Sequence, residues 1–122
     1  WVMSSRALNK IMLIGNVGQE PRLSVNKLGT TVCSFSLATN REWTVKRTGQ
    51  NKESTQWHEI VTFAKLAEIC GQILTKGTRV YVSGRIQTLG FENEKGERFS
   101  RVEIVANEVE AFEKRKKEVY GR

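Results

Sequence analysis

Residues Trp57 to Val82, WHEIVTFAKLAEICGQILTKGTRVYV, change hydrophobic period twice within one stretch, and that double change decides the fold. From Trp57 to Phe63 the chain alternates. Trp57, Glu59, Val61 and Phe63 fall on one face of an extended strand, and His58, Ile60 and Thr62 on the other. From Lys65 to Thr75 the apolar positions Leu66, Ile69, Cys70, Ile73 and Leu74 recur at helical spacing and predict an amphipathic helix. Lys76 suits the negative end of the helix dipole, and Gly77 is expected to stop the helix. Arg79 to Leu89 returns to a strand, with Val80, Val82 and Ile86 inward and Gly84 as a bulge or bend.

Upstream, Asn9 to Val17 holds the apolar run Ile11-Met12-Leu13-Ile14-Gly15, which reads as a buried strand. Gly18-Gln19-Glu20-Pro21 breaks it, and this sole proline marks a turn or an edge. Lys27-Leu28-Gly29-Thr30 is a further turn. Thr31 to Thr39 alternates, with Cys33, Phe35 and Leu37 on one face and Ser34, Ser36 and Ala38 on the other. The polar stretch Arg41 to Ser54, containing Thr48-Gly49-Gln50-Asn51, predicts a long mobile hairpin loop. Downstream, Asn93-Glu94-Lys95-Gly96-Glu97 is a hairpin tip. Phe99 to Ala106 is the returning strand, with Val102 and Ile104 on one face.

Five strands, a single helix after the third and two long hairpins predict an all-β chain. The order is that of the five-stranded, partly open oligonucleotide/oligosaccharide-binding barrel, the OB-fold. An SH3-like barrel lacks a helix of that length at that point. The 122 residues suit one domain, over 9–112. Residues 1–8 are an N-terminal segment or an expression remnant, since Trp1-Val2 precedes Met3, and 113–122 form a basic tail.

Lys and Arg number 20 against 13 Asp and Glu, a net charge of +7 that favours a polyanionic partner. The tail holds five of those cations and two anions, leaving +4 for the rest. No run approaches a membrane span, and no secretory signal opens the chain. Catalytic chemistry is thin. His58 is the sole histidine and reads as a hydrogen-bonded packing or interface residue, because no oriented acid–base partner accompanies it. Cys33 and Cys70 lack zinc spacing and fall on core faces, so both read as reduced thiols of an intracellular protein. Glycine spacing matches neither nucleotide-binding loop. No cofactor, metal or enzymatic activity is expected.

Aromatics stand out instead. Trp43 follows Arg41 and precedes Lys46 and Arg47, Trp57 has polar flanks, and Phe91 follows Arg85 in the second hairpin. A ring exposed beside cations can stack on an unpaired base while the cations neutralise phosphate. Candidate cations are Arg41, Lys46, Arg47 and Lys52 around the first hairpin. Arg79, Arg85, Lys95, Arg98 and Arg101 are those of the second and its neighbours.

Four blocks carry a resemblance. They are Asn9-Lys10-Ile11-Met12-Leu13-Ile14-Gly15-Asn16-Val17-Gly18-Gln19-Glu20-Pro21, Phe35-Ser36-Leu37-Ala38-Thr39-Asn40 with Trp43, Thr55 to Phe63, and Leu74 to Ile86. In that order, from about Asn9 to Phe112, the chain resembles the bacterial-type single-stranded DNA-binding proteins, mitochondrial members included. The resemblance implies a homotetramer of OB-folds that wraps single-stranded DNA without sequence preference in replication, recombination and repair. It implies stacking at Trp43, Trp57, Phe63 and Phe91, where Phe91 departs from a tryptophan common in relatives, and a subunit contact at His58. It also implies a linker and an acidic tip that recruits replication and repair enzymes, where this sequence instead ends in basic residues. The implied location is the bacterial cytoplasm and nucleoid, or an organellar matrix. An OB-fold primosomal adaptor and a cold-shock-type RNA-binding module are the alternatives.

Overall fold

A computed structural model describes residues 6–112. The elements run β1 (Ile11–Val17), β2 (Arg22–Val25), β3 (Thr31–Thr44), β4 (Asn51–Phe63), α1 (Ala64–Ile73), β5 (Arg79–Glu92) and β6 (Arg98–Ala111). The basic tail and residues 1–5 lie outside the described residues.

Spatial order is β1-β5-β6-β4-β3-β2, and a further β1–β3 pairing closes the sheet into a barrel. Two short seams complete the ring. Asn16 and Val17 pair with Ala38 and Leu37 across β1–β3, and Ile60 and Val61 run parallel to Ile104 and Val105 across β4–β6. β2, which the sequence pattern does not announce, continues β1 beyond the Gly18–Pro21 break and pairs antiparallel with β3. All four of its residues are exposed, so it has no buried face from which a period could be read. The two pieces together act as one bent strand, giving the expected five-stranded barrel with one helix.

The core is filled by Val17, Cys33, Phe35, Leu37, Ile60, Val80, Val82 and Ile104, with Ala67, Cys70 and Leu74 from the helix side. Predicted inward faces of β3 and early β5 therefore hold. Several finer expectations do not. The Ile11–Gly15 run is not buried throughout: Met12 and Ile14 are exposed, because the sheet there is covered on one side only. On α1 the buried positions are Ala67 and Cys70, while Ile69 and Ile73 face solvent, since a ten-residue helix across the barrel presents only a narrow stripe. The helix ends at Ile73, with Leu74 N–H bonded to the Cys70 carbonyl at 3.0 Å. No basic residue lies in its last turn. Gly77, with φ of 90°, serves the following turn and donates its N–H to the Val17 carbonyl at 2.8 Å.

The Arg41–Ser54 loop is also corrected. β3 and β4 stay paired out to Thr44 and Asn51, leaving only residues 45–50 as connection. Polar composition misleads here because a two-stranded ribbon projecting from the barrel has two wet faces. The β5–β6 register shifts at Ser83/Gly84, so the expected irregularity falls at Gly84, with Asn107 of the partner strand β6 as the extra residue. A Cβ at Gly84 would run into the Val105 carbonyl oxygen. Beyond that bulge the β5–β6 hairpin leaves the barrel, so Ile86, expected inward, is exposed, and of Val102 and Ile104, expected on one face, only Ile104 is buried. Asn93 closes the predicted tip: its Oδ1 accepts from the Lys95 and Glu97 N–H groups at 2.9 Å each.

Buried polar groups are satisfied. Thr62 Oγ1 donates to the Cys33 carbonyl at 2.9 Å, and no buried side-chain polar atom among the described residues lacks a partner. Both cysteines are free and buried. Burial, and then the neighbouring Cys33, push the Cys70 thiol up to about 11, so it stays protonated and inert.

A candidate nucleic-acid interface on the outer sheet face

Register determines which candidates meet. Ile60 and Ile104 both face the core, so their neighbours Val61 and Val105 face outward, and Arg85 joins them opposite Val105. Two-residue steps from that row carry Trp57, Glu59 and Phe63 on β4 onto the outer side. The same steps carry Phe99, Arg101 and Glu103 on β6, and Gln87, Leu89 and Phe91 on β5. Trp57, Phe63 and Phe91 therefore share one outer face of β4–β6–β5. Each is substantially exposed, Trp57 most at 62%.

Trp57 sits in a groove of about 400 Å3 lined by Gly18, Gln19, Arg22, Ser36 and Glu59. A Cβ at Gly18 would collide with the Trp57 ring edge and lie 2.7 Å from Ser36 Oγ. The indole is thus seated on bare backbone, which fixes its tilt and leaves the opposite face open. Arg22 reaches Glu59 at 2.8 Å, placing a cation beside the ring. Arg22 belongs to the strand the sequence pattern did not reveal, so nothing pointed to it beforehand.

Trp43 is placed elsewhere. It opposes Lys52, an odd number of residues before Trp57, so it lies on the reverse side of the β3–β4 ribbon. There the Arg41 guanidinium carbon lies 5.1 Å from its ring centroid, a cation–π contact, with Lys52 opposite. Lys46 and Arg47 are exposed in the connecting turn. On the second arm Arg85 lies on the Phe91 side and donates to Gln87 at 3.2 Å, and Lys95 and Arg98 stand at the tip. Arg79 does not join them. It pairs with Asn16 at the far end of β5, away from the hairpin. Arg101, 5.2 Å from the Phe91 centroid, does.

His58 faces the core side of β4, with its Nε2 3.0 Å from Thr39 Oγ1. Burial pushes its imidazole below the usual range, so it is neutral near pH 7. Among the described residues its hydrogen-bond partner is the Thr39 hydroxyl and not the carboxylate that would orient a catalytic histidine. Among the described residues no cluster of metal-ligating side chains occurs. No helix there is long and apolar enough to cross a membrane.

A closed five-stranded barrel with a helix between its third and fourth long strands, two projecting ribbons and exposed aromatics on its outer face is an OB-fold of the nucleic-acid-binding class. The chain belongs to the single-strand binding protein family, whose model matches residues 8–112. It is similar to the single-strand binding protein of Plasmodium falciparum, solved in complex with single-stranded DNA. Identity there is 37%, covering 89% of this chain and 96% of that one, with a TM-score of 0.77. It is also similar to a deletion mutant of the single-stranded DNA-binding protein from Thermus aquaticus, at 28% identity and a TM-score of 0.77. That match covers 89% of this chain and 52% of the other, so this chain spans about half that protein's length.

Proposed function

We propose that this chain binds single-stranded DNA without sequence preference, protecting strands exposed in replication, recombination and repair. The observation that carries this is the shared outer face of Trp57, Phe63 and Phe91, flanked by Arg22, Arg85 and Arg101, in a member of the single-strand binding family. Every base has a flat face, so rings on a surface stack on any sequence, at about 1–3 kcal/mol per base. Guanidinium and ammonium groups add a salt-sensitive term from released counterions. Trp43 with Arg41 and Lys52 offers a second stacking point on the reverse of the first arm, suited to a strand that curls around the ribbon. Lys46, Arg47, Lys95 and Arg98 are exposed cations along the same two arms.

We further read the active particle as a homotetramer. Met12 and Ile14 leave the outer side of β1 apolar and open, beside Tyr81 in the paired β5, and such a surface favours a second copy. His58 is the subunit-contact candidate carried by the family resemblance. Sedimentation at micromolar concentration is expected to give four chains per particle, and a stable monomer would contradict this. The DNA reading is tested by binding oligothymidine, the matching RNA oligomer and a duplex of equal length at low and high salt. The account expects the single DNA strand to win at both salts. A preference for duplex or RNA would overturn it.

A further inference from the structure

Phe99 stands directly opposite Phe91 in the antiparallel register, so both rings leave the same side of the β5–β6 arm. Both remain open, Phe91 at 44% and Phe99 at 51%. Leu89 and Arg101, the next pair on that side, continue the surface toward the barrel. Arg101 covers one side of the Phe91 ring, and a groove of about 340 Å3 runs beside both rings, lined by Gly90, Phe91, Glu92, Arg98 and Phe99.

Cross-strand ring pairs often serve to pin a hairpin. This tip is already pinned. Asn93 accepts from the Lys95 and Glu97 N–H groups, donates to Glu97 Oε1 at 2.8 Å, and Gly96 takes φ of 84°. Two phenyl rings left exposed on a hairpin that closes without them are available for a ligand. One phenyl is a smaller table than an indole, and a second beside it restores the lost area.

We propose that Phe91 and Phe99 form one composite platform for a single unpaired nucleobase, with Arg98 and Arg101 on the adjoining phosphate. This rests on the single-stranded DNA reading and adds Phe99 as a contact residue of that site. The guanidinium groups are only loosely engaged. Arg98 lies 3.8 Å from Glu92, an exposed pair of a kind that contributes little, so phosphate can replace it. Arg101 reaches the buried Glu103 at 3.4 Å, while its own side chain stays largely open to a phosphate.

The test compares Phe99→Leu, Phe91→Leu, the double variant and Phe99→Trp with the unaltered chain and with Trp57→Ala. Probes are a short oligothymidine and the same oligomer made abasic at alternate positions. Thermal unfolding checks that each variant is folded. Phe99→Leu is expected to bind oligothymidine about fivefold or more weakly. It is also expected to lose part of the discrimination against the abasic probe. The double variant should lose little more than either single one, because two rings under one base act as a unit, and Phe99→Trp should bind at least as tightly as the unaltered chain. Unchanged affinity in Phe99→Leu beside a weakened Trp57→Ala overturns the platform alone, as do losses in the two single variants that simply multiply. Unchanged affinity in both Phe99→Leu and Trp57→Ala overturns the stacking reading beneath it.

Discussion

The barrel body and the two arms that project from it are built from the same strands yet obey opposite rules. In the body, Phe35, Leu37, Ile60, Val80 and Val82 are sealed from solvent. In the arms, from Asn40 to Thr55 and from Arg85 to Val102, almost every side chain is at least partly exposed, Trp43, Phe91 and Phe99 included. One strand thus has two portions in series, its barrel portion closing a core and its arm portion leaving rings and cations open to solvent. Stability and binding should therefore separate cleanly between variants.

The largest expected effect lies in the body. Phe35→Ala should lower unfolding free energy by about 3–5 kcal/mol, the range for deleting a buried ring, as measured by denaturant titration. A loss near zero would break the division. On the open outer face, where Trp57 stands at the root of the first arm, the reverse should hold. Trp57→Ala should weaken single-strand binding by at least about 1 kcal/mol. Its unfolding free energy should move by no more than about 0.5 kcal/mol.

Gly18→Ala probes the boundary between the two regions. Its methyl group would push the Trp57 ring off its seat, so tryptophan emission should shift and affinity fall, though less than for Trp57→Ala. An unshifted spectrum with full affinity would show that the seat is irrelevant. Lys52→Met, opposite Trp43, should reduce the salt slope of binding by about 0.7, the contribution of one phosphate contact on a single strand, while leaving stability unchanged. An unaltered slope would remove Lys52 from the path.

The smallest effect concerns His58. Its folded pKa lies below the unfolded value of 6.5 because burial disfavours the cation, so the unfolded chain takes up the proton more readily. The stability it contributes is fully present above 6.5 and is lost as pH falls through the lowered folded value. His58→Asn should flatten this part of the stability–pH curve, and an unchanged curve would place the titration elsewhere.

How much of this was readable beforehand follows the same division. Wherever one face of an element is buried, its period survives in the sequence. Cys33-Phe35-Leu37, Val80-Val82 and the switch to helical spacing at Leu66 placed the barrel and helix correctly. Where nothing is buried, no period exists, and so the Arg41–Ser54 ribbon looked like a loop and β2 was invisible. Burial also fails beyond the barrel: Ile86 keeps the inward side counted from Val82 and pairs with Ile104, yet it is exposed because the hairpin has left the core there. For the site, Trp57 and Phe63 were correctly placed on a common face by alternation within one strand. Trp43 could not be placed, since its side depends on the exact pairing with Lys52 across a turn. Phe99 was discoverable from the Asn93–Glu97 tip, because pairing outward from that turn puts it opposite Phe91. Arg22 had no such signal.

Tryptophan emission during titration with oligothymidine tests base stacking on the open rings most directly, run on the unaltered chain and on Trp57→Ala at low and high salt. The account predicts strong saturable quenching in the unaltered chain. In Trp57→Ala it predicts a smaller quench and weaker binding, with the difference persisting at high salt, where the phosphate term has faded. Full binding without quenching, or identical curves for the two proteins, would contradict it.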